Sequence, residues 1–337
     1  MTALEEAFSL FSDDDDGDAD EGGRGGSENF AAAAKRSSLL AAVTVGLSVE
    51  EEGGSDFARE TIERAVASLR TYGLVIFPRL FEGRILRSLS GAALRDLDQF
   101  MALAAARGGI GTEGNADAFL ELASRHEGRY ELRNGREMRN VVGDGESFRQ
   151  HRGLLAVLRE ACAAPGHALV EGQPGDEIVA RDVGAFVSLP GASNQELHGD
   201  NDHLWWHENL PPHVVTMFLP GCLETAGAPA GAAAAPDAVK EDQARVGWTA
   251  FVPRTHSISA AAAVLGNPPS SPDDDHRCIC PRLEAGDALL YDARLLHFGL
   301  ANTSTRTRRP LMYVSFVRRW FQDRQNWGSE SLLSGGI

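Results

Sequence analysis

Leu189-Pro190-Gly191-Ala192-Ser193-Asn194-Gln195-Glu196-Leu197-His198-Gly199-Asp200 leads from an apolar run through a turn into an H-x-D triplet. In extended backbone, residues i and i+2 share a face, so the His198 imidazole and the Asp200 carboxylate can converge on one ion. In a chain with ten histidines the triplet alone says little. Its weight comes from a second stretch, Gly286-Asp287-Ala288-Leu289-Leu290-Tyr291-Asp292-Ala293-Arg294-Leu295-Leu296-His297, a Gly-Asp turn and an apolar strand that ends on an imidazole. Two imidazoles and one carboxylate occupy one face of an octahedral ion and leave the other open, the facial set that suits non-haem Fe(II). Beyond His297 the basic run Arg306, Arg308, Arg309 offers a planar guanidinium that can fork onto the carboxylate of a dicarboxylic cosubstrate.

Outward from these stretches, Ile178–Ala180, Ala185–Leu189, Val214–Leu219, Trp248–Val252, Ala288–Tyr291 and Leu311–Val317 read as short strands between turn residues. Many short strands of this kind point to a jelly roll or barrel. Upstream, Phe57, Ile62, Ala65, Val66 and Leu69 recur at helical spacing until Thr71-Tyr72-Gly73, and Leu74–Phe77 reads as a buried strand. Two more helices are expected, one carrying Ile85 to Met101 and one over about Phe148–Cys162, where Leu154, Leu155 and Leu158 face inward. Helices gathered before strands make an α+β fold with N-terminal helices packed on one sheet. Residues 1–55 are expected to be a disordered acidic lead, with Leu39–Leu47 as an apolar island that pairs weakly or packs on the body. Residues 56–325 form the folded domain, and 326–337 a tail. The low-complexity stretches Ala226–Pro236 and Gly266–Asp275 are expected to be surface loops.

The 337 residues, 43% of them hydrophobic, are enough for one sizeable core. A formal charge of -16 argues against nucleic acid as a partner. Part of the acidity is local, in Asp13 to Asp16, Asp18, Asp20 and Glu21 and in Glu50 to Glu52, runs that are ordinarily solvated. Cys162, Cys222, Cys278 and Cys280 are too few and unevenly spaced for a disulfide framework. The start lacks the basic and apolar regions of a signal peptide, and no apolar run approaches the ~18 residues of a membrane span. A cytoplasmic protein acting on a small molecule, with no membrane association, is the expectation. The sequence names no protein partner.

Taken together, several blocks resemble the phytanoyl-CoA dioxygenase family of Fe(II)/2-oxoglutarate oxygenases over about Asp56 to Asp323. Tyr72-Gly73-Leu74-Val75-Ile76-Phe77 is similar to the family's opening helix and strand, and Gln195 to Asp200 to its Q-x-x-H-x-D block. Thr249-Ala250-Phe251-Val252-Pro253-Arg254-Thr255-His256 resembles its T-x-x-x-P-G-S-H turn, with Arg254 in place of the usual glycine. His297 through Phe321, closing on Arg319-Trp320-Phe321, resembles its final block. The resemblance implies a cupin-like double-stranded β-helix in which His198, Asp200 and His297 hold Fe(II), 2-oxoglutarate chelates the open face and O2 takes the remaining position. A small organic substrate would be oxidised, with release of succinate and CO2. In related halogenases a small residue replaces the carboxylate, so Asp200 favours hydroxylation, desaturation or another oxidation. Gln195 and Thr249 become candidate cosubstrate partners by the same correspondence. For the arginine, loop length points to Arg308 and strand register, through Arg309-Pro310-Leu311-Met312-Tyr313, to Arg309. A slip of one residue reverses the face, and Arg309 is preferred because the downstream Phe316, Trp320 and Phe321 also fall into place with it.

Other readings compete. His198-x-Asp200-x-Asp202-His203 superficially resembles the H-x-H-x-D-H of Zn-dependent metallo-β-lactamase-like hydrolases, but lacks the second histidine. A catalytically idle double-stranded β-helix that binds a metabolite is the other alternative, against which stands the retention of three ligands and an arginine. His203, His207 and His213, with Trp205 and Trp206, either approach the substrate or simply pack. Trp205, Trp206 and Tyr130 either line an apolar pocket or belong to the core. His151, His167 and His256 read as structural, Asn302 as shaping its loop, and Cys278-Ile279-Cys280 as part of a strand.

Overall fold

In the computed structural model of the protein the described residues are 25–108, 119–133, 135–138, 151–170, 172–173, 175–225, 236–269, 276–322 and 330–333. The chain runs α1 (Gly25–Val43), α2 (Arg59–Tyr72), β1 (Leu74–Phe77), α3 (Gly83–Ala106), β2 (Leu122–His126), β3 (Arg129–Arg133), α4 (Arg152–Ala161), β4 (Ile178–Ser188), β5 (Val214–Pro220) and β6 (Glu224–Thr225). It continues through α5 (Pro236–Ala244), β7 (Thr249–Phe251), α6 (Ile258–Gly266), β8 (Ala288–Asp292), β9 (His297–Gly299) and β10 (Thr307–Arg318). Strands in the order β1-β8-β5-β10-β4-β3-β2 form a large antiparallel sheet, with β6 added beside the start of β10. A smaller sheet pairs β7 with β9 and is widened by bridges from His198 to His297 and from Ile279 to Phe251.

The two-residue period of the strands places the core. Along β10, Met312, Val314 and Phe316 join the main apolar cluster with Leu86, Leu89 and Leu97 of α3 and Leu154 and Leu158 of α4. Leu311 and Tyr313 turn to the other face and join Phe218, Tyr291 and Phe251. There the Phe251 ring of the small sheet lies 6.3 Å from Phe218 and 5.3 Å from Tyr291, so aromatic packing seats one sheet on the other. The result is a mixed fold of helices and antiparallel sheet, with α2, α3 and α4 on one face of the large sheet and α1, the small sheet and a cavity on the other.

Helix α2 stops where its sequence predicts. Gly73 adopts φ +81° and its N–H reaches the Leu69 carbonyl at 3.0 Å, a left-handed cap that only glycine takes without strain. A Cβ there would also strike the His256 ring and Leu295. Two expectations are corrected, and one pair of strands was not foreseen. The two runs Ile178–Ala180 and Ala185–Leu189 are one strand, because polar Arg181 and Asp182 continue the ladder between them. The polar segment around Gly128 forms the hairpin β2–β3, which hydropathy alone did not reveal. The boundary at residue 55 is drawn too late: Leu39 and Val43 are buried in the cluster of Phe218 and Tyr291, and the Val45 N–H donates to the Ile76 carbonyl at 2.8 Å. The apolar island thus both packs and pairs. The acidic run at Asp13 to Asp16, Phe148 to Gln150, residues 226–235 and 270–275 and most of the tail lie outside the described residues.

Candidate metal centre

Strand geometry brings His198, Asp200 and His297 together. His198 and His297 exchange both backbone hydrogen bonds, N to O at 3.0 and 2.8 Å, which sets their rings side by side with centroids 4.6 Å apart. Gly199 allows the turn to Asp200 to press against the segment before β9, where a Cβ would meet the Arg294 carbonyl at 3.1 Å. One ligand atom from each of the three residues lies within 4.8 Å of the others. Asp200 Oδ1 stands 3.5 Å from His297 Nε2 and 4.0 Å from His198 Nε2.

Each group is held in a ligating form by its neighbours. His198 Nδ1 bonds the Glu196 carbonyl at 2.7 Å and His297 Nδ1 the Leu295 carbonyl at 2.9 Å, so both protons sit on Nδ1 and both Nε2 lone pairs face the gap. Burial lowers the pKa of His297, against the pull of Asp200, and favours the neutral imidazole that a metal requires. The Tyr291 hydroxyl donates to Asp200 Oδ2 at 2.6 Å and leaves Oδ1 turned toward the histidines. Burial, then the Asp200 charge, raises the Tyr291 pKa, so its proton stays in place.

The segment before His297 is anchored on both sides. Buried Arg294 forks onto Asp292 at 2.9 and 2.6 Å and reaches the Leu210 carbonyl at 2.8 Å. From the other side Thr255 Oγ1 accepts the Leu296 N–H at 2.9 Å. Arg254 adopts φ +74°, a backbone conformation that favours glycine, and its guanidinium lies 5.4 Å from the Tyr72 ring centroid.

The triad opens on a cavity of about 1080 Å³ over the inner face of the large sheet. Gln195, Thr249 and Arg309 line it, and Arg308 does not. Arg308 instead bonds Asp98 of α3 at 2.6 Å and Glu224 of β6 at 2.7 Å. Arg309 is 4% exposed, its Nε lacks a hydrogen-bond partner, and burial, then the charge of Arg129, lowers its pKa to about 9. Gln195 Oε1 accepts the Gly299 N–H at 3.1 Å, which ties the stretch before His198 to β9.

The remaining candidates separate from this centre. Among the described residues no other set of three histidine, cysteine or acidic side chains converges as these do, and Asp202 and His203 take no part. Trp205 and Trp206 are exposed, the His207 ring packs on Trp206, and Tyr130 packs against the main core, and none of them lines the cavity beside the triad. His213 packs on Phe321, with ring centroids 4.4 Å apart. His151 caps α4 through Nδ1, and His256 Nε2 meets the Arg70 carbonyl at 3.1 Å. Asn302 donates to the Ser188 and Thr307 carbonyls and shapes its loop, and Ile279 bridges Phe251 as a strand residue. Arg129 and Tyr291 also stand at the site, and neither carries a sequence signal beyond its place in a strand.

No protein-family model matches the sequence, and no curated protein matches it. Among solved structures, HygX from Streptomyces hygroscopicus with nickel and 2-oxoglutarate bound is similar, at 15% identity over 80% of this chain and 90% of that one, with a TM-score of 0.46. EctD from S. alaskensis in its apoform is 15% identical over 84% and 87%, also with 0.46. AviO1 from Streptomyces viridochromogenes Tue57 is 14% identical over 77% and 96%, with the same score. No helix among the described residues is long and apolar enough to cross a membrane.

Proposed function

We propose that this protein is a non-haem Fe(II)- and 2-oxoglutarate-dependent dioxygenase that oxidises, by preference hydroxylates, a small organic substrate. The carrying observation is that His198 Nε2, His297 Nε2 and Asp200 Oδ1 converge at the edge of a cavity whose wall holds the buried, unpaired Nε of Arg309. Two imidazoles and one carboxylate are a donor set that suits Fe(II), which His198, Asp200 and His297 would hold from one side. Iron(II) bound there supplies oxygen activation coupled to decarboxylation of the keto acid to succinate and CO2. The double-stranded β-helix belongs to the same reading, with the two stacked sheets as its support.

The chain's own groups have distinct tasks in this reaction. The Leu295 and Glu196 carbonyls fix the histidine tautomers, and Tyr291 aims Asp200. Arg309 forks onto the distal carboxylate of 2-oxoglutarate, with Thr249 and Gln195 beside it in the cavity wall. The Phe218 and Tyr291 rings line the cavity, with the Phe251 ring packed behind them. Asp200 fills the carboxylate position, which favours hydroxylation over halogenation. Fe(II) and 2-oxoglutarate loading without oxygen, followed by air and an untargeted metabolite screen, tests the reading. Oxygen-dependent succinate release is expected. Tight zinc retention with hydrolysis in the absence of oxygen would overturn it.

A further inference from the structure

The wall at Arg309 carries more positive charge than the described protein balances. In the ladder Arg309 lies opposite Ser188 and Ser188 opposite Arg129, so β10, β4 and β3 bring two guanidiniums to one row of the inner face. Both arginines are buried and both line the cavity. Arg129 donates to neutral acceptors: Ser188 Oγ at 2.7 Å, the Ser193 carbonyl at 3.2 and 3.3 Å, and the Leu300 carbonyl. Arg309 keeps its orphaned Nε. No described carboxylate acts on either guanidinium. The cavity's other arginines differ, since Arg125 pairs with Glu131, and Arg133 and Arg181 pair with Asp182.

Like charges held side by side away from water repel, and a buried cation without a counter-charge is costly. Burial lowers Arg129 to about 10, yet both groups stay cationic at neutral pH. An anion in the cavity relieves both costs. Gly299 lets Arg129 Nη1 and Gln195 Oε1 press against its backbone, where any Cβ would collide with both, and so fixes the guanidinium in the cavity wall. We infer that Arg129 is a second cation of the cosubstrate pocket, one that sets its selectivity for a keto acid bearing a distal carboxylate; this rests on the 2-oxoglutarate reading above. Arg309 supplies the fork, and Arg129, largely committed to Ser188 and two backbone carbonyls, supplies charge from across Ser188.

Calorimetric binding to the Mn(II)-loaded protein without oxygen tests this, with 2-oxoglutarate compared against 2-oxobutanoate, which lacks the distal carboxylate. Wild type should prefer 2-oxoglutarate. Arg129→Gln should shrink that preference by about tenfold, the scale of one charge-assisted contact, and Arg129→Lys should restore most of it. A purely structural clasp predicts instead that both variants lower Tm and leave the preference unchanged, which would overturn the inference. Ser188→Asp keeps both arginines and sets a carboxylate between them; it should weaken 2-oxoglutarate binding by about tenfold. Unchanged binding in that variant overturns the inference even where Arg129→Gln does not fold. If Arg309→Gln weakens binding while the changes at 129 and 188 do not, only the second cation falls. If wild type binds neither acid, the cosubstrate reading falls with it.

Discussion

The two faces of the large sheet draw on the same strands for opposite purposes. Toward the helices, β10 sends Met312, Val314 and Phe316 into a continuous apolar core; toward the cavity it sends Arg309, Tyr313 and Ser315. Neighbours in sequence show the division most sharply. Arg308 is tied to Asp98 and Glu224 on the helix side, whereas Arg309 is buried on the cavity side with no carboxylate partner among the described residues, the Cys280 thiol being the acidic group that acts on it. One face therefore holds the fold and the other leaves charge available to a ligand. Because side chains alternate, the two duties can be separated by single substitutions.

The largest expected effect lies at the ligands. His198→Ala or His297→Ala should cut iron retention and turnover by about 100-fold or more, beyond the 10–100-fold typical of outer partners, while folding survives. Near-normal turnover in either purified variant, without added imidazole, would break the cavity side of the comparison. On the opposite face Leu290→Ala empties a fully buried site in the main core. It should cost about 2–5 kcal/mol of stability in denaturant titrations and leave the 2-oxoglutarate requirement of the folded fraction unchanged. A large change in that requirement would show that the faces are coupled.

The adjacent arginines sharpen the division further. Arg309→Ala should raise the half-saturating 2-oxoglutarate concentration about tenfold or more, and Arg309→Lys should recover part of the loss because it keeps charge without the fork. Arg308→Ala should leave it nearly unchanged and cost at most about 1 kcal/mol, since its acidic partners are exposed. The reverse pattern would put Arg308 in the pocket.

The smallest effect concerns the start of β10, where the faces diverge. Burial raises the Asp242 pKa, but hydrogen bonds from Thr307, Thr305 and Arg306 outweigh it and hold the group at about 2, below its ordinary 3.8. A depressed carboxylate stabilises the fold above its unfolded value, and that contribution disappears as pH falls through the folded value. Asp242→Asn should therefore lower Tm at neutral pH, and its gap from wild type should close between pH 4 and pH 2. A gap that stays constant over that range would remove Asp242 from the account.

The triad was legible because its determinants are local: an i, i+2 pair on extended backbone and an apolar strand that stops on a histidine. Arg309 was legible through register, since the ladder fixes which of two neighbours turns inward. Arg129 was not. It sits in the hairpin of β2 and β3, whose inward residues Arg129, Glu131 and Arg133 are charged, so the segment shows no apolar alternation. The cavity inverts the usual rule that inward means apolar, and a strand built for it reads as a loop. The segment upstream of Asp56 was misread for a related reason. Its acidic residues dominate the composition, yet Leu39, Val43 and Val45 are buried and Glu51 accepts the backbone N–H groups of Ser48 and Ala58.

The mutual backbone bridge of His198 and His297 also bears on how the centre comes into being. These residues stand about a hundred positions apart, and closing so long a loop spends chain entropy before either ligand gains a partner. Such distant pairing forms slowly. The face formed by His198 and His297 should therefore close late in refolding, through its two backbone hydrogen bonds. Refolded in the presence of Co(II), the protein should acquire its metal absorption only in the final phase, and a chelator should remove the colour while the strands remain paired.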